Sequence, residues 1–507
     1  MRKRSRAFWI VAGLTLLGAV LRFATLGVQA YHHDEIVTAS RVLRVGFGHA
    51  MDAVGFSESA PPLYYALAWP WTQVVGNGEW GLRSLSAVAG VATIPVAYLV
   101  GRELRGARAG MVAAALVAVN PMLLWYSQEA RAYALLGFFC ALSLLFCVRA
   151  MQPQPSSPLV ADGGTKGELG GRRDFVLWGV FSALALATHY FAVFPLIAEV
   201  VLLARRRGRA ILDGLWIVAV AVLLLAPLAI HQMSYGHAEW IGKFTLGHRL
   251  AEAAITFMVG ETGDVIGRTE QWQPALLPLA LAAAAFALLV ARGSRAERRA
   301  AFVPFAVAAA AAGIPLALAI LSAGKDFVLA RNLLPALVPL LVAVAVALTT
   351  ARARRLATAI AAVLVVYSLG FSVWASTSSE LQRPDWRAVA DHLGEPDGPR
   401  ATVSWVLGEA PLRFYLSTGA IQLKASEGYD WLVREVAFVS MGEAPRPPRR
   451  LLGSGFRETG AEDVGQLFIR RYRLPGPELA PLRLRDLRKA HTGFRSNGVL
   501  LDGVGPG

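Results

Sequence analysis

The chain has 507 residues, 55% of them hydrophobic and only 17% charged, with a mean hydropathy of +0.47. Soluble globular chains carry about 25% charged residues, so this composition excludes an ordinary soluble enzyme and indicates an integral, polytopic membrane protein. The net charge of +15 does not argue for a nucleic-acid partner, because most basic residues lie in short connections between apolar runs, where orientation rules put them.

In chain order, apolar segments fall near 7–28, 82–101, 109–125, 133–149, 175–188, 190–204, 210–230, 274–291, 300–322, 332–349 and 356–374. Most are long enough to cross a bilayer as helices, and together they predict an all-α membrane domain of about eleven spans. "MRKRSRAFWIVAGLTLLGAV" reads as the first span rather than a signal peptide, since the run to Val28 is long for one. The spans read as clean apolar runs with charge at one face. Cys140 and Cys147 share one run; their spacing on a helix is about 10 Å of rise, too far for a disulfide.

The basic residues test this layout. Alternate connections hold Arg2, Lys3, Arg4 and Arg6; Arg102, Arg105 and Arg108; Arg149, Lys166, Arg172 and Arg173; Arg205, Arg206, Arg207 and Arg209; Arg292, Arg295, Arg298 and Arg299; and Arg352, Arg354 and Arg355. These are the cytoplasmic connections by the positive-inside rule, and they include a flexible Pro/Gly/Ser-rich loop at 150–174. The first loop 29–81, with its interfacial helices, then faces outward, as do the turns at 126–132, 188–190 and 323–331, the loop 231–273 and everything after Trp374. His32, His33, His49, His189, His231, His237 and His248 all fall on that outer side. The membrane domain is placed at 1–375. In the tail, 376–507, "RPDWRAVADHLG" and "APLRFYLS" read as helices, and "ATVSWVL", "VAFVSM" and "GQLFIRRYRL" as strands, which together predict a small extracytoplasmic α/β domain.

Four outer stretches carry chemistry. In "QAYHHDEIVTAS", Asp34 and Glu35 precede an apolar stripe of Ile36, Ala39 or Ser40, Leu43 and Phe47, so they open an interfacial helix. They are either helix-capping acids or site residues. In "ESAPPLYYALAWPW", Tyr64, Tyr65, Trp69 and Trp71 suit an interface belt, while Glu58 ahead of the proline pair is harder to explain by anchoring. In "NPMLLWYSQEARAYALL", Tyr126, Gln128, Glu129, Arg131 and Tyr133 crowd a very short turn. Arg131 there is a candidate for bidentate phosphate binding or the partner of Glu129 in a surface pair. In "GKDFVLARNLLPALVPLL", Lys325 and Arg331 stand at the outer mouth of a span, against the positive-inside trend, where Arg331 is a phosphate ligand or a snorkelling side chain. His189 and Tyr190 interrupt an otherwise apolar hairpin on the same side, as packing or as site residues.

Outward carboxylates, outward cations and aromatic platforms beside a lipid-accessible helix suit phosphate chemistry on a lipid head group. The motifs "LRFATLGVQAYHHDE", "APPLYYALAWPW", "GEWGLRSLSA", "NPMLLWYSQEARAYALL", "RNLLPALVPLL" and "DWRAVADHL" come in the order seen in bacterial family-39-type glycosyltransferases. Residues 1–394 resemble that family, which has the GT-C fold and is related to the lipid A aminoarabinose transferases and the protein O-mannosyltransferases. The resemblance implies inverting transfer of a sugar from a polyprenyl-phosphate donor to an extracytoplasmic acceptor. That acceptor is a cell-envelope lipid, a polysaccharide or a protein, at the outer face of a bacterial cytoplasmic membrane. It makes Asp34 the general base or the ligand of a divalent cation, with Glu35 beside it as the second catalytic residue. Glu58, Tyr64, Tyr126, Gln128, Glu129, Arg131, Tyr133, His189, Tyr190, Lys325 and Arg331 become substrate-binding residues. Many members have His before Pro-Pro-Leu; here it is Ala60. Two other classes compete: a transporter or flippase, which needs ionisable residues inside the spans or interrupted helices, and a non-catalytic assembly protein.

Overall fold

A computed structural model describes residues 6–43, 46–152, 166–235, 240–261, 273–322, 327–416, 420–422, 430–448, 451, 455–492 and 497–503. Lys325, His237 and most of the loop placed at 150–174 lie outside the described residues. The chain divides into two compact units. The first comprises Met1–Leu26, Val42–Glu261 and Val265–Ser376; the second holds Thr377–Gly507 and also Gly27–Arg41.

In the first unit every apolar segment is helical. Its helices are α1 (Arg6–Phe23); then, after a helix of the second unit (α2, His33–Ile36), α3 (Phe47–Ser57), α4 (Leu63–Val75), α5 (Glu79–Arg105), α6 (Ala107–Val119), α7 (Pro121–Ser127) and α8 (Tyr133–Met151). They continue with α9 (Lys166–Thr188), α10 (Val193–Arg207), α11 (Leu212–Met233), α12 (Leu246–Val259), α13 (Gln273–Arg292), α14 (Arg295–Leu321), α15 (Leu337–Ala347) and α16 (Arg354–Thr377). Among the described residues, 7 helical stretches are long and apolar enough to cross a membrane, with Tyr190–Met233 counted once, or up to 8 if the bent pair of α6 and α7 is one span. The 58° bend in that pair has a local cause. Asn120 accepts from the Leu123 amide at 3.0 Å, and Pro121 opens α7 as its first residue. This is the cap-then-proline order that starts helices.

The arginine-bearing connections gather at one end of the bundle. Arg105 pairs with Glu297 at 3.0 Å, Arg149 with Glu103 at 3.2 Å, and Arg108 donates to Thr358 at 2.7 Å. The runs are not clean, however. Arg22 and Glu199 are buried within α1 and α10. Each survives there because its hydrogen bonds are met inside the protein: Glu199 accepts from the Trp178 indole at 2.8 Å and from Ser143.

In the second unit, eight strands are β1 (Arg400–Trp405), β2 (Ile421–Gln422), β3 (Asp430–Val433), β4 (Glu435–Met441), β5 (Arg457–Val464), β6 (Leu467–Arg473), β7 (Ala480–Arg483) and β8 (Asn497–Asp502). Six form one sheet in the order β2-β8-β1-β4-β6-β5, parallel between β1 and β4 and antiparallel at its other pairings; β3 and β7 pair separately. The strands "ATVSW" and "VAFVSM" read as nearly continuous apolar runs because both sheet faces are covered. Ala437 and Val439 face the helices α17 (Trp386–Leu393) and α18 (Val406–Tyr415), while Val436 and Phe438 face the opposite core with Tyr472 and Leu501. Asp385 caps α17 by accepting from the Ala388 amide at 3.1 Å, as its sequence predicts. The segment Gly27–Arg41 is integral to this unit: Ala30 sits in the helix-side core, the Tyr31 amide donates to the Tyr415 hydroxyl at 2.7 Å, and Gln29 accepts from the Arg383 amide at 3.2 Å.

Candidate active site

Asp34 and Glu35 stand in the first turn of α2, which runs on as a π-helical stretch over Val37–Val42. The expected single interfacial helix is therefore shorter, and Phe47 belongs to α3 instead. Its apolar face is spent on the second unit, where α2 packs on α18. Glu35 is fully buried and accepts from the His32 amide at 3.0 Å, which is the capping duty. Asp34 is half-buried. Glu35 thus holds the turn on which the half-buried Asp34 stands.

In the first unit, the remaining motifs converge at the end away from the arginine-bearing connections. The short turn after α7 places Arg131 against Glu58, 2.8 Å apart, with the Glu58 side chain 2% exposed and that of Arg131 15% exposed. Arg131 thus pairs with Glu58 across the fold. Tyr64 and Tyr65 are fully buried, in edge-to-face contact at 5.3 Å, so they are not belt residues. Tyr65 lies beside the pair; burial pushes its hydroxyl pKa well up, and Glu58 adds to this against Arg131.

A ladder of rings leads onward. Tyr126 meets Tyr133 at 4.9 Å, and Tyr133 meets His189 at 5.7 Å. Both Arg131 and Arg331 lie close enough to His189 to act on it electrostatically. Arg331 stacks over Trp240 at 5.7 Å. Tyr190 donates to Gln232 at 2.9 Å, and the Gln232 amide donates to the carbonyls of Val54 and Ala60 at 2.9 and 3.1 Å, tying this turn to the segment that carries Glu58. Glu129 is buried and its charge reaches Tyr126. Gln128 is turned the other way. Its amide donates to the carbonyls of Leu21 and Arg22 and to the Thr25 hydroxyl at 3.2, 3.0 and 2.9 Å, so it secures the turn.

Two carboxylates here escape sequence reasoning. Tyr126 donates to Glu261, and Glu252 on α12 neighbours both Glu261 and Arg331. Burial first, then Glu261, pushes the Glu252 pKa up to about 7 against the pull of Arg331 and Arg249. Their placement depends on Gly260, which ends α12 at φ 75° and lies so close to Pro121 that a Cβ would stand 3.1 Å from its carbonyl. Only glycine suits both demands. The local signal was the "VGE" at the end of an amphipathic helix in an outer loop. Among the described residues, no three His, Cys, Asp or Glu side chains come together as a metal site.

Residues 59–232 match the family of dolichyl-phosphate-mannose-protein mannosyltransferases. No curated protein sequence matches the chain. The structure is similar to that of ArnT from Cupriavidus metallidurans bound to undecaprenyl phosphate, with a TM-score of 0.55 at 15% identity, covering 92% of this chain and 98% of ArnT, and it matches the apo form equally well. The Archaeoglobus fulgidus oligosaccharyltransferase matches with a TM-score of 0.48 at 14% identity, over 82% of this chain and 59% of that one. The chain is a polytopic membrane protein with the GT-C fold, and over residues 59–232 it is similar to the dolichyl-phosphate-mannose-protein mannosyltransferases.

Proposed function

We propose that this protein transfers a sugar, with inversion, from a polyprenyl-phosphate donor to an acceptor hydroxyl on the extracytoplasmic side of a bacterial membrane. The observation that carries the reading is the pair of sheltered cations, Arg131 and Arg331, held among tyrosines and carboxylates at the end of the bundle away from the orienting arginines. An arginine not needed for orientation and shielded from water is suited to a phosphate dianion. The mannosyltransferase match and a fold shared with a protein that binds undecaprenyl phosphate support the donor class.

In this reading the acceptor oxygen attacks the anomeric carbon, and the bond from that carbon to the phosphate oxygen breaks. The polyprenyl phosphate leaves with its charge held by Arg131 and Arg331, and the hydroxyl proton goes to a carboxylate, for which the sequence resemblance offers Asp34. Glu35 supports Asp34 by fixing the turn on which it sits. The test is turnover of polyprenyl-phosphate sugars by the protein in liposomes. Asp34→Asn keeps the side chain's size and removes the proton acceptor, so transfer falls by about 10²–10⁴ while donor binding persists. Near-full turnover by Asp34→Asn would reduce it to a helix-opening acid. Repeating the assay with EDTA separates a base from a cation ligand at Asp34. Mass spectrometry of the cell envelope after deletion identifies the acceptor.

A second reading, movement of a lipid-linked saccharide across the membrane, is favoured by the broken α6–α7 span and by Arg22 and Glu199 inside the bundle. Transbilayer movement of a labelled lipid in the same liposomes without turnover would establish it.

A further inference from the structure

Arg22 is fully buried in the last turn of α1, yet it is placed in no step above. Among the described residues its hydrogen-bond acceptors are neutral. Its Nη2 donates to the Val117 carbonyl at 3.1 Å, its Nη1 to the carbonyls of Ala118 and Gly18 at 3.0 and 3.1 Å, and its Nε to the Ser127 hydroxyl at 3.0 Å. The geometry has a local reason. Pro121 has no amide hydrogen, so the Val117 carbonyl loses the partner an unbroken helix would supply. The guanidinium replaces it. The favour is returned, since the Gln128 amide donates to the carbonyls of Leu21 and Arg22 at the end of α1. Each break in the backbone ladder is capped by a side chain from the other.

The fit is close. A Cβ on Gly90 would stand 2.0 Å from the Ser127 hydroxyl and 3.0 Å from the Arg22 Nε, so α5 approaches this junction only because residue 90 is glycine. A small cavity of about 10 Å³ adjoins it, bounded by Arg22, Ser127, Tyr126 and Tyr133. The turn that starts at Ser127 ends at Arg131, whose carbonyl is held by Ser86 at 3.2 Å and whose guanidinium meets Glu58.

We propose that Arg22 is a positioning residue for donor binding: by bridging the broken span to the Ser127–Arg131 turn, it sets the place of Arg131 toward the phosphate. This rests on the phosphate role given to Arg131 above. A buried fork with several acceptors holds geometry that a point charge does not, and small displacements of a binding group are costly.

The test is binding of undecaprenyl phosphate, with undecaprenol as the uncharged control, to the full chain in detergent, with Tm measured for each variant. Arg22→Met weakens undecaprenyl phosphate binding roughly tenfold and leaves undecaprenol binding unchanged. In an Arg131→Ala background the same substitution adds less than about twofold, because both changes act through one group. Equal loss for both lipids, or full additivity with Arg131→Ala, would show that Arg22 merely holds the bundle together. Unchanged binding in Arg22→Met with loss in Arg131→Ala overturns the positioning role alone. Unchanged binding in Arg131→Ala overturns the phosphate reading and the proposal with it. If Arg22→Met does not fold, Ser127→Ala, which removes the acceptor of the Arg22 Nε along with the hydroxyl's own bond to the Leu123 carbonyl, must show the same pattern at smaller amplitude.

Discussion

At one end of the membrane unit, Arg102 and Arg105 have side chains 43% and 37% exposed; Arg102 meets Glu103 at the surface, and Arg105 reaches a buried Glu297 from the solvent side. At the other end, Arg131 is 15% exposed and faces a Glu58 that is 2% exposed. The residue types are the same, but the environments differ. Exposed arginines are screened by water and ions, and their pairs contribute about 0–1 kcal/mol; their value lies in orienting the chain during insertion. A sheltered arginine keeps its field and its hydrogen-bonding geometry, so it is available to a ligand that brings its own charge.

The sharpest break of this comparison is Arg131→Ala. Losing a charge-assisted contact to a phosphate costs about 2–4 kcal/mol, or roughly 30- to 800-fold in kcat/KM, read by steady-state turnover of the lipid donor. An unchanged kcat/KM would make the two ends equivalent. Glu58→Gln comes next. It removes the Glu58 charge from beside Arg131, so Tm falls, by about 3–5 kcal/mol of stability at the upper limit for a broken buried pair; a bound polyprenyl phosphate recovers more of that Tm in the variant than in the parent.

A smaller effect belongs to Glu252. Its folded pKa of about 7 lies above the usual 4.5, so the folded state holds the extra proton between those values. The stability this contributes is complete below about pH 4.5 and is lost as pH rises through 7. Tm therefore declines from pH 5 to pH 8 more steeply in the parent than in Glu252→Gln, and parallel pH profiles would remove Glu252 from the comparison. The smallest effect is at the orienting end: Arg102→Ala changes kcat/KM less than about twofold. A cysteine at exposed Arg206 is labelled only after the membrane is permeabilised, while one at exposed Glu395 is labelled from outside. The reverse pattern would invert the assignment of the two ends.

Much of this was legible from local signals. Each apolar segment is a helix because, without water, the backbone must pair within its own segment. The cap at Asp385, the buried strands of the tail and the short turn ending in Arg131 followed from spacing alone. The candidate residues of the membrane unit were nominated because ions outside the arginine-bearing connections stand out against an apolar background. The choice among readings was not legible. "SQEAR" offers Glu129 as the partner of Arg131, and nothing in that stretch announces the Glu58 that the fold brings to it. Arg22, one cation near the end of the first span, and Glu261, one acid in a loop, carry no local signal of the partners the fold gives them.

The sequence by itself determined the class of protein and the helices, because hydropathy acts through short stretches and a planar membrane. Only the tertiary structure decided that Gly27–Arg41 belongs with the tail, that Glu35 caps while Asp34 stays partly open, and that Arg131 is sheltered beside Glu58. Those outcomes depend on pairing between segments far apart in the chain, and burial, which sets the strength of a charge, is a property of the packed molecule.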